Sequence, residues 1–386
     1  MRVAVALSGG VDSAVTAARV VEAGHDAVGV HLLLGAGSVP ETDAAQAVAD
    51  AVGIPLVVWD FRERFERRVL DYFTDSYAHG RTPNPCLRCN REVKFKGLLD
   101  RGLSEGFDAV ATGHYAQLTP GPGESIELHR AANSRKDQSY VLGVLSQQDL
   151  HHCLFPLGTV PTKDEVRHEA EERGLPVAHK PDSTDICFVT QGGAAEFLAD
   201  RLDDRPGSIV DERGEVIGEH RGIQHFTVGQ RRGLRLRAPA ANGEPRYVTA
   251  LDATTNTVHV GQGRALLVDA VDITDLSDTG VPLLDGWEGL VQFRAHGKAV
   301  PAALSIDQDR ARVSFGEPVR GVAPGQFVVF YEDDRVLGAA EISASHRLED
   351  HTGPQTSGAT REGQSPSVSV DAAQGSTDVA IPGVTQ

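Results

Sequence analysis

The chain has 386 residues, 40% of them hydrophobic, with 37 basic against 54 acidic side chains and a formal net charge of −17. That length accommodates two or three domains with proper cores, and the acidic balance argues against a sequence-blind nucleic-acid binder coated in positive charge. The four cysteines, Cys86, Cys89, Cys153 and Cys187, are too few and too scattered for a disulfide-stapled scaffold and invite a chemical or metal-binding reading instead.

The start, MRVAVALSGG, goes straight into a strand-like segment without a basic n-region or cleavage site, so no signal peptide is expected. No run of about 18 apolar residues offers a membrane span. The default expectation is a cytoplasmic enzyme with no membrane partner. Arg2–Leu7 reads as a buried strand stopped by SGG, and Asp12–Ala23 as the helix that follows. Further buried strands, Asp26–Leu34, Pro55–Phe61 and Phe107–His114, alternate with helical stretches. This alternation implies an α/β fold, a doubly wound parallel sheet with ligands at the carboxyl ends of its strands. Thr162 followed by Glu165 reads as a capping box that opens a helix running to about Arg173.

From about Pro206 the texture changes to short β-rich runs around Gly- and Asn-containing turns, as in GSIVDERGEVIGEH, RYVTALDATTNTVHVG and GQFVVFYEDDRVLGAAEI. The expected organisation is an α/β domain over 1–203, a small β-rich domain over 204–264 and a β-barrel-like domain over 265–346. A tail over 347–386, without an aromatic residue and rich in Ser, Thr, Gly and Gln, is expected to be disordered.

LSGGVDS (Leu7–Ser13) lies at the first strand–helix junction. Gly9 and Gly10 let backbone N–H groups converge on an anion at a helix N-terminus. Ser8 and Ser13 add hydroxyl donors, and Asp12 is placed to hold Mg²⁺ against phosphate oxygens. The loop lacks the lysine of the GxxxxGK[ST] motif. SGGxDS is the signature of the PP-loop ATP pyrophosphatases, which this stretch resembles. The resemblance implies ATP cleaved between its α- and β-phosphates to adenylate a substrate oxygen. It places Ala6, Leu7, Ser8, Gly9, Gly10, Val11, Asp12 and Ser13 at the nucleotide, with no tightly bound organic cofactor.

TPNPCLRCNREVKF, ATGHYAQ, KDQSYVL, KPDSTDICFVTQGG and FTVGQRRGL follow in order along the chain. Together with SGGVDS they resemble the bacterial tRNA-specific 2-thiouridylase family over nearly the whole chain, to about His346. The resemblance implies that ATP adenylates the C2 oxygen of a wobble uridine and that Cys187 carries a terminal sulfur as a persulfide. Cys89 is then the nucleophile that frees the sulfur, leaving a transient Cys89–Cys187 disulfide. Cys86 stands where many family members have Asp. Arg88, Arg91, Lys94 and Lys96 favour a thiolate and meet phosphates, or else form a solvated basic face.

By the same resemblance Gly113 and Leu32 contact the nucleotide, while His114, Lys136, Asp137, Gln138 and Gln326 contact tRNA. Arg231, Arg232, Arg235 and Arg237 form a basic patch suited to stem phosphates. The implied partners are tRNA, with Lys, Glu and Gln acceptors, and a cysteine desulfurase or sulfur-relay carrier. The alternative for Cys86, Cys89 and Cys187 is a zinc or iron–sulfur site, and Cys153 reads as core filler. Other readings of the same loop are an amide-forming synthetase or an RNA-binding module without turnover.

Overall fold

The computed structural model describes residues 1–35, 39–181, 188, 193–236, 243–308 and 310–347. The tail from 348 onward, Arg237 and Cys187 therefore lie outside the described residues, and so does the expectation of a disordered terminus. Strands β1 (Arg2–Ala6), β2 (Asp26–Leu33), β3 (Leu56–Asp60) and β4 (Ala109–Ala111) form where the apolar runs predict them. A hairpin of β5 (Gln117–Pro120) and β6 (Ile126–His129) comes next, followed by the short strand β7 (Cys153–Leu154).

β1 to β4 and β7 make a five-stranded sheet in the order β3-β2-β1-β4-β7, with every pairing parallel. Val3, Ala4 and Val5 of the central strand are wholly buried, as a strand covered on both faces requires. The chain order reverses between β1 and β4, and a ligand crevice opens at the carboxyl ends of such a pair.

Helix α1 (Val11–Glu22) carries Asp12 in its first turn and Arg19 in its last, which suits the helix dipole. Arg19 forks onto Glu169 at 2.5 Å and donates to the Pro156 carbonyl. That ties α1 to the helix Lys163–Glu172, whose first turn is capped by Thr162; the Glu165 N–H donates to its hydroxyl, half of the expected capping box, while the Glu165 carboxylate meets that same hydroxyl at 2.9 Å. Among the described residues no helix is long and apolar enough to cross a membrane.

The β-rich hairpins form as expected. Gly207–Val210 pairs antiparallel with Val216–His220, and Tyr247–Asp252 with Thr257–Gly261. Phe327–Glu332 and Arg335–Arg347 turn through Asp333 at φ 53°. In the last domain Leu267–Asp278 pairs with both Arg310–Arg320 and Arg335–Arg347, which closes a barrel.

The sequence reading did not anticipate that β5 and β6, inserted in the first domain, extend this barrel sheet. Leu128 pairs with Val336, and His129 with Arg335. One hydrophobic cluster consequently contains Trp59, Leu128 and Tyr140 from the first domain with Phe327, Val329, Tyr331 and Val336 from the barrel. The first domain and the barrel thus share a core within one compact unit, while Ile209, Val248 and Val258 of the small β-rich region form a cluster of their own.

This shared core makes a testable claim. The chain's two tryptophans report on its two sides, Trp59 in β3 and Trp287 beside Phe330 in the barrel. Leu128→Ala empties a fully buried seam position and should destabilise by about 2–5 kcal/mol. In urea unfolding of the single-tryptophan variants, both transitions should move together; movement of the Trp59 transition alone would mean separate cores.

Candidate functional site

At the carboxyl end of β1 the chain curls through Gly9, at φ 69°, into α1. A Cβ at Gly9 would lie 2.8 Å from Ala44 Cβ and 3.0 Å from the Glu41 carbonyl, so only glycine fits this turn. Gly10 stands at the N-cap without a side-chain cap, leaving first-turn N–H groups for a ligand. Ser13 Oγ donates to the Gly10 carbonyl at 2.9 Å and lies 3.3 Å from Ser8 Oγ. Ser8 is exposed, Ala6 and Gly10 are half-buried, and Leu7 and Val11 are buried in the sheet–helix core. Leu32, half-buried near the end of β2, packs against the core that holds Cys89. Gly113, in the loop after β4, approaches so closely that a Cβ there would lie 2.9–3.0 Å from Asp12 and Ser13.

The fold supplies the cations that the loop sequence lacks. Lys163 Nζ meets Asp12 Oδ1 at 2.5 Å, and the buried Tyr115 donates its hydroxyl to the same oxygen at 2.6 Å. Lys180 donates to the Gly9 carbonyl at 2.8 Å. Both lysines lie more than 150 positions along the chain from the residues they meet. The only local hint was Lys180 in the KPDST stretch. A glycine-only cradle, open first-turn N–H groups and a half-exposed carboxylate fit a nucleotide polyphosphate with its hard cation.

The cysteine loop sits on the other side of the central strands. Asn84 Oδ1 accepts from the N–H groups of Cys86 and Leu87, and Pro85 opens the helix Pro85–Cys89. Cys86 is exposed, while Cys89 is 4% exposed and belongs to the shared core. A π-helical turn, Asn90–Phe95, follows Cys89 directly, a distortion common at functional positions. Asn90 fastens it by donating to the Val141 carbonyl at 2.9 Å.

Two of the four basic residues near the cysteines are engaged within the protein. Arg88 lies 4.8 Å over the Tyr72 ring, and Tyr72 donates to Glu341 of the barrel at 2.9 Å. Arg91 bridges Glu92 and Asp275. Lys96 lies 3.8 Å from Asp100 along its helix, and Lys94 acts electrostatically on His114. Burial pushes the Cys153 thiol well up, which keeps it inert core filler. Cys187 falls outside the described residues, but its neighbour Phe188 packs edge-on against Phe65 and Phe73, beside the core that includes Cys89. Among the described residues no three His, Cys, Asp or Glu side chains gather as a metal site.

The residues predicted to meet tRNA differ in what is left of them. Asp137 is saturated, accepting from Arg130, the Ala131 N–H and both donors of Ser139. Gln138 is exposed, but its Oε1 accepts from the Tyr115 N–H at 2.9 Å. Lys136 is half-buried in the same turn. Gln326 donates to the Thr82 carbonyl at 2.6 Å. Arg231, Arg232 and Arg235 are exposed, as a phosphate-binding patch needs.

His114 is flanked by Phe95, its ring tilted at 42°, and by Phe155, which meets it edge-on, and it shares a 2.8 Å hydrogen bond with Thr112. Burial, aided by the Lys94 charge, lowers its pKa from 6.5 to about 3. The imidazole is therefore neutral near pH 7, suited to hydrogen bonding rather than to pairing with a phosphate charge.

A folded pKa below the unfolded value means the unfolded chain binds the extra proton. Stability from this site is full above pH 6.5 and is lost as pH falls toward 3. His114→Asn should remove up to one proton's slope from the pH dependence of unfolding free energy in that window, measured by urea titration. An unchanged slope would contradict the buried neutral imidazole.

Three family descriptions match the chain: tRNA methyl transferase HUP domain over residues 1–191, tRNA methyl transferase PRC-barrel domain over 195–262, and Aminomethyltransferase beta-barrel domain over 286–342. The chain is 53% identical over 359 residues to the tRNA-specific 2-thiouridylase MnmA of Acidothermus cellulolyticus, covering 90% of this chain and 99% of that protein. It is 50% identical to the protein of the same description from Streptomyces avermitilis, covering 90% and 96%. Among solved structures, the U34-tRNA thiolase NcsA from Methanococcus maripaludis, with its [4Fe-4S] cluster, aligns at 19% identity and a TM-score of 0.33 over 48% of this chain and 61% of that one, and nothing rests on it. Identity of this order over 90% of the chain shows that the protein belongs to the tRNA-specific 2-thiouridylase MnmA family.

Proposed function

We propose that the chain is an ATP-dependent tRNA sulfurtransferase that converts a wobble uridine to 2-thiouridine. The observation that carries the reading is the pairing of a pyrophosphatase-type loop, Leu7–Ser13, with a cysteine helix at the same sheet, in a chain of this family. The loop N–H groups, Ser8 and Ser13 hold the phosphates, with Ala6, Leu7, Val11, Leu32 and Gly113 shaping the nucleotide pocket. Asp12 is the residue that would hold magnesium, which when bound supplies charge neutralisation between phosphate oxygens. Its present partner Lys163 turns toward the departing pyrophosphate, and Lys180 fixes the Gly9 turn.

The uridine C2 oxygen attacks the α-phosphate and pyrophosphate leaves, converting that oxygen into part of a leaving group. The terminal sulfur of a Cys187 persulfide attacks C2. A C–S bond forms, the C–O bond breaks and AMP departs. The Cys89 thiolate then attacks Cys187 Sγ, so the electron pair of the old S–S bond passes to the sulfur on C2. The product is 2-thiouridine and a Cys89–Cys187 disulfide, which a thiol reductant must open before the next turnover. Phe188 in the aromatic cluster beside the Cys89 core supports this pairing of distant cysteines.

His114, Lys136 and Gln138 face the tRNA, while Asp137 shapes their turn and Gln326 stands at the barrel edge. The exposed arginines 231, 232 and 235 take stem phosphates. The acceptors are the Lys, Glu and Gln tRNAs, and a cysteine desulfurase or relay carrier loads Cys187. The reaction belongs in the cytoplasm.

The deciding assay follows 2-thiouridine and AMP with purified chain, tRNA, Mg-ATP and a desulfurase with cysteine. Cys89→Ser and Cys187→Ser should abolish thiolation, while Cys86→Ser retains it. Failure of all three, with stoichiometric iron or zinc in the wild type, would replace the persulfide scheme with a metal site. In the same assay Lys163→Met should slow tRNA-dependent pyrophosphate release by about a hundred-fold, the usual loss for one donor aimed at developing charge. A wild-type rate would remove Lys163 from the chemistry.

A further inference from the structure

The loop that carries the cysteines is held by the barrel through three hydrogen bonds. The Thr82 N–H donates to the Pro324 carbonyl at 2.9 Å and the Asn84 N–H to the Gly325 carbonyl at 3.0 Å. In return Gln326 Nε2 donates to the Thr82 carbonyl at 2.6 Å. Gly325 has φ 89°, and a Cβ on it would lie 3.1–3.2 Å from Thr82 and Pro83, so its backbone lies flush against the loop. The turn is itself pinned, since Gly325 N donates to the Ile342 carbonyl and Ile342 N to the Gln326 carbonyl, both at 2.8 Å. Beneath the same loop the buried Tyr140 donates to the Phe327 carbonyl at 3.1 Å. Asn84, the last residue gripped, is the N-cap of the helix that ends on Cys89.

We propose that the Val322–Gln326 turn positions Cys89, with Gln326 as a positioning residue that acts through Thr82. The inference rests on the sulfurtransfer reading and gives its last step a geometric requirement. Cys89 lies at the far end of a single helical turn whose start is fixed by Asn84. A shift at Thr82–Asn84 therefore moves the thiol almost rigidly. A Gln326 that donates its amide to the loop is already engaged in the protein without RNA, unlike a side chain waiting for tRNA.

The experiment uses the full chain. Gln326→Met keeps the volume and removes the donor, and Gly325→Ala crowds Thr82. Alkylation of Cys89 by iodoacetamide, resolved from the other cysteines by peptide mass spectrometry, is timed without tRNA or ATP. Thiolation kcat, KM for tRNA and tRNA-dependent pyrophosphate release are measured alongside. Both variants should alkylate at Cys89 at least five-fold faster than wild type. Their thiolation kcat should fall ten-fold or more, with KM for tRNA and pyrophosphate release within two-fold. Unchanged alkylation overturns the proposal, as does a raised KM with kcat kept, which would make Gln326 a tRNA contact. If wild type makes no 2-thiouridine, the sulfurtransfer reading fails, while the alkylation rates still decide whether the clamp sets the thiol. Leu304→Ala, at a buried barrel site outside the seam cluster, controls for general loosening and should leave Cys89 alkylation unchanged.

Discussion

Strand β6 pairs with the start of the last barrel strand, and through that pairing two domains share one core. Leu128 opposite Val336 brings the apolar side of the hairpin over Tyr331 and Phe327. Arg130 follows at once, lying 3.8 Å over the Tyr331 ring while it donates to Asp137 and Gln292. A half-buried guanidinium with an aromatic face, a carboxylate and an amide around it has little freedom to turn. The Lys136–Gln138 turn hangs from this cluster, and Gln138 passes the constraint to Tyr115, whose hydroxyl ends on Asp12. A continuous set of bonded groups thus runs from the barrel to the phosphate loop.

This arrangement changes what the charges near the site are for. Arg88, Arg91 and Arg130 are each paired with a carboxylate or an aromatic ring at the seam, so they serve as struts more than as an attractive field. Asp137, expected from the resemblance to contact tRNA, has its lone pairs filled from within. Neutral His114 offers hydrogen bonds without charge. A chain with a net charge of −17 whose seam arginines are engaged internally offers little positive field for indiscriminate binding of polyanions.

What the sequence made legible was local. Arg2–Leu7 and Asp26–Leu34 announced buried parallel strands by apolar runs, and the structure trims each by one residue. The Thr162 cap and the hairpin turns at Asn256 and Asp333 carry their chemistry in a few neighbouring residues. The contacts that complete the site have no such signature. Lys163 reaches Asp12 across 151 positions, Lys180 reaches Gly9 across 171, and Gln326 reaches Thr82 across 244. A lysine in a helix's first turn reads as a solvated side chain until the fold places it beside a carboxylate. The β5–β6 hairpin was missed for a related reason, because its partner strand lies about two hundred residues away.

These long-range contacts divide the labour between sequence and fold. The short motifs fix residue type: glycine where a Cβ would collide at positions 9 and 113, asparagine where the helix before Cys89 needs a cap. Position is fixed by segments far away, the helix at Lys163 for the phosphate loop and the turn at Gly325 for the cysteine loop. Under the proposed sulfur transfer, the reacting atoms must approach within about 3.5 Å to react efficiently. Neither loop can meet that tolerance alone, since each is short and its own hydrogen bonds define only its shape. The tolerance comes from the shared core, in which Cys89, Leu87 and Leu98 pack with Phe327 and Val329. A loop placed by a packed core moves only when that core moves, and so the barrel sets the position of Cys89 although it lies about two hundred residues further along the chain.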